Sequence, residues 1–181
     1  METFNEMKEE MISGILYRML PARYNHFTVI INIGDIFNNY LKSKNMDCVV
    51  TQDNVDLYFD EDNWVHPDNM IICDRNGFSD NGYSGVPELV VEVLSGSTME
   101  RDRIYKFKKY QELGIKEYWL ITPEIKTVEQ YILKDGKYVI NKVYYIDLKD
   151  KTGLSKNKSE LKVTVFDDLV IDLNDIFKHV K

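Results

Sequence analysis

Apolar positions change period along this chain, and each change predicts an element. Phe27, Ile30, Ile31, Ile33, Ile36, Phe37, Tyr40 and Leu41 recur at helical spacing, so Pro21 to Leu41 is predicted to be an amphipathic helix. Its many β-branched residues weaken intrinsic propensity, so burial must hold it. Short β-favouring runs follow between Asp- and Asn-rich breaks: Asp47 to Thr51, Val55 to Phe59 and Asn69 to Cys73. Glu88 to Leu94 is nearly unbroken in its apolar character and reads as a strand buried on both faces. Glu117 to Ile121 reads the same way, with Pro123 as its stop.

Between those two strands, Ser97-Thr98-Met99-Glu100 has the form of a capping box, and Gly114 suits a C-terminal cap, so a helix is predicted there. Gly14 to Leu20 reads as a strand, and residues 1–11 as a short helix or loose arm. Asp74 to Gly85 reads as a polar loop. Thr127 to Leu133 and Tyr138 to Ile146 flank an Asp135-Gly136 turn, a hairpin signal. Leu148 to Glu160 is polar; a strand from Leu161 to Phe166 and a small helix near Leu173 to Phe177 close the chain. The order predicts an α+β fold with an α/β-like core: a mixed sheet flanked by helices, with extra antiparallel strands near the C-terminus. A length of 181 residues, 44% of them apolar and 12% aromatic, fits one folded domain over residues 1–181.

Charge and cysteine content refine that expectation. A net charge of −7 argues against a generic nucleic-acid footprint, which is basic. A local basic strip is compatible with it, and Arg101, Arg103, Lys106, Lys108 and Lys109 form the densest one. Cys48 and Cys73 lack any CxxC or Cys/His spacing and read as two buried or partly buried thiols. No leader-like segment and no bilayer-length apolar run is visible, so a cytoplasmic protein without membrane contact is expected.

The chemistry concentrates between Pro67 and Lys106. Glu92 lies inside the apolar run, where an isolated carboxylate costs several kcal/mol unless protonated, paired or bound to a metal. Asp68 precedes it by 24 positions, room for two adjacent strands. Carboxylates opposite each other on such strands repel and favour a bridging cation, and oxygen ligands suit Mg²⁺ or Mn²⁺. The bland alternatives are a strand-entry role for Asp68 and a buried ion pair for Glu92. On a helical wheel, Ile104, Phe107, Tyr110 and Leu113 span one apolar arc that also contains Lys106 and Arg103. Asp102 lies one turn earlier, at the edge of that face. A snorkelling lysine would look the same. His26, at the start of the first long helix, is a second-tier candidate beside a plain exposed or capping reading. His66 and His179 receive no role. Glu88 reads as a solvated strand end, and Tyr110, Tyr118 and Trp119 as core aromatics.

Several segments together resemble one family. Pro67-Asp68, Gly85-Val86-Pro87-Glu88-Leu89-Val90-Val91-Glu92-Val93-Leu94-Ser95, then Asp102, Lys106 and Tyr110, then Gly114-Ile115-Lys116-Glu117-Tyr118-Trp119-Leu120 carry the likeness. Upstream, Gly14, Met19-Leu20-Pro21 and His26 fit as well. The stretch from about Gly14 to Leu133 resembles the Uma2 family of the PD-(D/E)xK nuclease superfamily. The resemblance implies a restriction-endonuclease-like fold and Mg²⁺- or Mn²⁺-dependent hydrolysis of DNA to 5′-phosphate products. It implies Asp68 and Glu92 as metal ligands with the Val93 carbonyl as a third. The superfamily's simplest form places its lysine two residues after the second acid, where this chain has Leu94; related families place it on the following helix, which matches Lys106. Asp68, Glu92 and Lys106 are the expected catalytic set. Cutting both strands of a duplex needs two sites, which admits a homodimer. The rival classes are a nuclease-fold protein that binds without cutting and an oligomerisation module.

Overall fold

The structure is a computed structural model, and it describes residues 8–19, 21, 23–146 and 159–181. In chain order the strands are β1 (Glu9–Ile12), β2 (Ile15–Arg18), β3 (Val49–Gln52), β4 (Leu57–Asp60), β5 (Asn63–Val65), β6 (Asn69–Ile72), β7 (Phe78–Ser79) and β8 (Gly82–Tyr83). They continue with β9 (Leu89–Val93), β10 (Glu117–Thr122), β11 (Thr127–Lys134), β12 (Lys137–Tyr145), β13 (Glu160–Lys162) and β14 (Val170–Asp172). The helices are α1 (Tyr24–Ser43), α2 (Phe107–Leu113) and α3 (Leu173–Ile176), and a π-helical segment, Arg101–Lys106, runs directly into α2.

The central sheet has the order β12-β11-β10-β9-β6-β3. Its one parallel pair is β9–β10, bridged by the π segment and α2, as the crossover in the sequence predicts. Its remaining pairs are antiparallel. The alternation along β9 divides the core. Leu89, Val91 and Val93 face α1 with Ile30, Ile33, Phe37 and Trp119, while Val90 and Leu94 face the other way with Tyr110, Ile115, Tyr118 and Leu120. A second sheet, β2-β1-β5-β4-β8-β7, covers that other face, adding Leu57, Val65 and Tyr83 to it. The mixed sheets and flanking helices make the α+β fold expected from the pattern.

Several local expectations change. The polar N-terminal stretch supplies strand β1 rather than a helix or loose arm, and residues 1–7 lie outside the described part. The local signal is the Ser-Gly pair: Ser13 and Gly14 take φ of 53° and 74°, the left-handed values a tight hairpin turn needs. Asp74 to Gly85 holds a 3₁₀ turn, Arg75–Gly77, and the short β7–β8 pair. At the expected capping box the Ser97 hydroxyl meets the Ser95 hydroxyl at 3.2 Å, and the Met99 amide donates to the Ser95 carbonyl. Gly114 ends α2 with φ of 88°, as its position suggested. The polar run from Leu148 falls mostly outside the described residues, and the strand predicted to Phe166 ends at Lys162.

Cys48 and Cys73 form a disulfide. The antiparallel register pairs Val49 with Ile72, so the next residues outward, Cys48 and Cys73, lie directly opposite each other. A spacing argument along the sequence cannot see that, because only the register of β3 on β6 creates it.

Candidate active site

The last β6–β9 pair is Asn69 with Val91. One step further, the same register sets Asp68, just past the end of β6, opposite Glu92. The Val93 amide donates to Asp68 Oδ2 at 2.6 Å, so the Asp68 side chain takes the place of a ladder partner where β6 has ended. Asn69 anchors the neighbouring layer. Its buried amide donates to the carbonyls of Ile30 and Thr51, both at 3.2 Å, fixing α1 over the β3–β6 pair.

That anchoring brings His26, in the first turn of α1, to Asp68, with Nε2 3.4 Å from Oδ2. Burial alone would lower the imidazole pKa, but the Asp68 and then the Asp53 carboxylate raise it.

Glu92 looks deeper. It is 2% exposed, and its Oε1 accepts from the Lys106 amine at 3.0 Å and the Tyr110 hydroxyl at 2.6 Å. Burial raises the Glu92 pKa well above the ordinary value; Lys106 opposes the rise, and Asp102 and Asp68 add to it. Tyr110 is a core aromatic, as expected, but its hydroxyl supplies one of the two donors that satisfy this acid.

Lys106 is at the centre of the cluster. Its Nζ lies 2.8 Å from Glu10 Oε1, 3.0 Å from Glu92 Oε1 and 3.2 Å from Asp102 Oδ1. Burial would lower its pKa, but Glu92, Asp102 and Glu10 raise it well above the usual lysine value. The ammonium is thus charged, buried and enclosed by carboxylates. Arg101 reaches the other Glu10 oxygen, Oε2, at 3.2 Å. Burial would raise the Glu10 pKa, yet Lys106 and then Arg101 hold it below the ordinary value. Asp102 rises because of burial, with Lys106 and Thr98 pulling against that rise.

The π segment explains why the wheel failed in part. A wider turn shifts which side chains face inward. Asp102, Lys106 and Tyr110 are buried, whereas Ile104, expected in the apolar arc, is 65% exposed. Arg103 is not an inward cation. It forms a two-pronged pair with Glu129, at 3.0 and 2.5 Å. Lys108 and Lys109 both approach Glu112, at 3.7 and 3.8 Å. Each member of the expected basic strip therefore faces a carboxylate.

The structure thus sets Asp68 and Glu92 opposite each other at the end of β6 and β9, with Lys106 against Glu92. Glu10 joins them, a residue the sequence reading passed over because its stretch looked like a polar arm. Glu88 pairs with Lys116 at 2.6 Å at a strand end, away from the cluster. His66 bridges Asp53 (3.2 Å) and Asp56 (2.6 Å). A hard divalent cation would suit the donors Asp68, Glu92 and the Val93 carbonyl, all oxygens. Among the described residues no three His, Cys, Asp or Glu side chains stand together as a metal cluster, and Glu92 is turned toward Lys106.

The central sheet thus has a parallel crossover at its middle and two acids opposite each other where β6 ends beside β9. A crystal structure from Anabaena variabilis, described as a "putative nuclease belonging to DUF820", superposes with a TM-score of 0.73 over 96% of this chain and 91% of that one, at 17% identity. Residues 1–157 match the Uma2 family, described as "Putative restriction endonuclease", and the chain belongs to that family. Two uncharacterized proteins of Synechocystis sp. are similar. The protein slr1290 is 28% identical over 136 residues (74% of this chain, 70% of that protein), and sll1609 is 29% identical over 128 residues (68% and 71%). Among the described residues no helix is long and apolar enough to cross a membrane.

Proposed function

We propose that this protein is a metal-dependent endonuclease that hydrolyses DNA phosphodiester bonds, leaving 5′-phosphates. The observation that carries the reading is the placement of Asp68 and Glu92 one step past the last β6–β9 pair, with Lys106 in contact with Glu92. Asp68, Glu92 and the Val93 carbonyl would hold Mg²⁺ or Mn²⁺. The cation would polarise the scissile phosphate and lower the pKa of a nearby water. Once Glu92 turned outward, Lys106 would orient the attacking water or neutralise charge growing on the phosphate oxygens. The amide of Val93 keeps Asp68 aimed, and Tyr110 keeps Glu92 on the strand's inner side until a cation competes for it.

One observation favours a second reading. Lys106 is 2% exposed and surrounded by three carboxylates, which suits an inactive nuclease fold that serves as a binding or oligomerisation module. Nicking of a supercoiled plasmid with Mg²⁺, Mn²⁺ or EDTA separates the two. The nuclease reading expects open-circular product in the presence of either cation and none with EDTA; an intact plasmid under all three conditions rejects it.

A further inference from the structure

We propose that Glu10, on hairpin β1–β2, is a positioning residue that holds Lys106 at the site wall when Glu92 engages a cation. This rests on the nuclease reading above. Three carboxylates meet the Lys106 ammonium. In that reading Glu92 leaves it for the cation. Asp102 lies four residues earlier on the same segment as Lys106, so it moves with the lysine and fixes no direction across the layers. Glu10 comes from the second sheet, and its contact with Lys106 is the shortest of the three.

The Glu10 carboxylate is itself held in place. The His66 amide donates to its Oε1 at 3.3 Å, and Arg101 faces its Oε2 at 3.2 Å. The hairpin is pinned as well. The Ser13 amide donates to Asn63 Oδ1 at 2.8 Å, and the Gly14 amide to the Asp62 carbonyl at 3.1 Å. Arg101 also stacks over the Tyr17 ring, 5.5 Å from its centroid. A divalent ion at Asp68 and Glu92 would repel a neighbouring ammonium, and a fixed anion on the far side opposes that displacement. Without Glu10 the lysine can withdraw from the phosphate it is meant to meet.

The test pairs two readouts on Glu10→Gln, Glu10→Asp and the unmutated protein. One is single-turnover plasmid cleavage with Mg²⁺ at saturating enzyme. The other is acylation of Lys106 by an amine-directed reagent without metal, resolved by peptide mass spectrometry against exposed Lys108. Glu10→Gln is expected to slow cleavage by the order of 10²-fold, as for other preorganised electrostatic groups, with the KM for DNA unchanged. Lys106 acylation should rise toward that of Lys108, and Glu10→Asp should recover part of the rate. Cleavage by Glu10→Gln at the unmutated rate, or a Lys106 that stays unreactive in it, overturns the proposal and leaves the nuclease reading standing. If Glu10→Gln does not fold, Arg101→Gln decides by the same readouts: a smaller change in the same directions supports the proposal, and no change overturns it. An unmutated protein that cuts no DNA with Mg²⁺ overturns the nuclease reading and this proposal together.

Discussion

Glu92 and Lys106 form a buried ion pair, but the two charges have unequal alternatives. If Glu92 becomes Gln, Lys106 still faces Glu10 and Asp102. The amide also resembles the protonated acid that burial favours. Glu92→Gln is therefore expected to change metal-free stability by about 1 kcal/mol or less and to remove Mn²⁺ binding. Lys106→Met is expected to cost about 3–5 kcal/mol, because it strands several carboxylates at once. Thermal melts of both variants with and without Mn²⁺ check this; equal losses without metal would contradict it.

His66 gives a pH signature at the same scale. Burial would lower its pKa, but Asp53 and Asp56 raise it from 6.5 to about 10. A group whose pKa rises on folding stabilises most below its unfolded value, so this contribution is complete below pH 6.5 and fades as pH approaches about 10. The melting-temperature gap between the unmutated protein and His66→Gln should shrink across that window; a constant gap would contradict it. At this scale Glu92 and Lys106 stand out in the sequence because each puts a charge inside an apolar run or arc, whereas Asp68 stands out only through its spacing to Glu92 and the resemblance. Glu10 does not stand out, since an acid in a polar stretch breaks no pattern.

Among the elements, the crossover was the easiest to read and the π segment the hardest. Buried strands, a glycine cap and a helix between them leave strong local signals, whereas a π turn has no compositional mark and invalidates a wheel drawn at about 100° per residue. Ile104→Ala distinguishes the two geometries. With Ile104 exposed, the change is expected to stay within about 0.5 kcal/mol. A residue in the apolar arc would lose about 2–5 kcal/mol, and such a loss in denaturant unfolding would contradict the observed winding. The β3–β6 staple has a similar lesson, because tertiary register created it. Closing a 25-residue separation, the Cys48–Cys73 bond is expected to contribute about 2–4 kcal/mol. A double Cys48→Ser, Cys73→Ser variant that melts with the oxidised protein would contradict that. The bond also sits uneasily with the cytoplasm expected from sequence, where thiols are usually kept reduced.

At the scale of the molecule, the central sheet was legible and the second sheet largely was not. Strands of two to four residues such as β5, β7 and β8 are too short to show a period, and long-range pairing alone defines them. The net charge of −7 also gains a local meaning. Arg101, Arg103 and Lys106 face acids within the fold, so the helix that looked like a nucleic-acid strip serves first to neutralise carboxylates. The central claim is that the acids at the end of β6 and β9 form a cation site. A crystal soaked in Mn²⁺ tests it through anomalous scattering. One peak is expected about 2.1 Å from oxygens of Asp68, Glu92 and the Val93 carbonyl, with Glu92 turned from Lys106 and Glu10 still on it. Density that shows Glu92 still bound to Lys106, with Mn²⁺ elsewhere or absent, would contradict it.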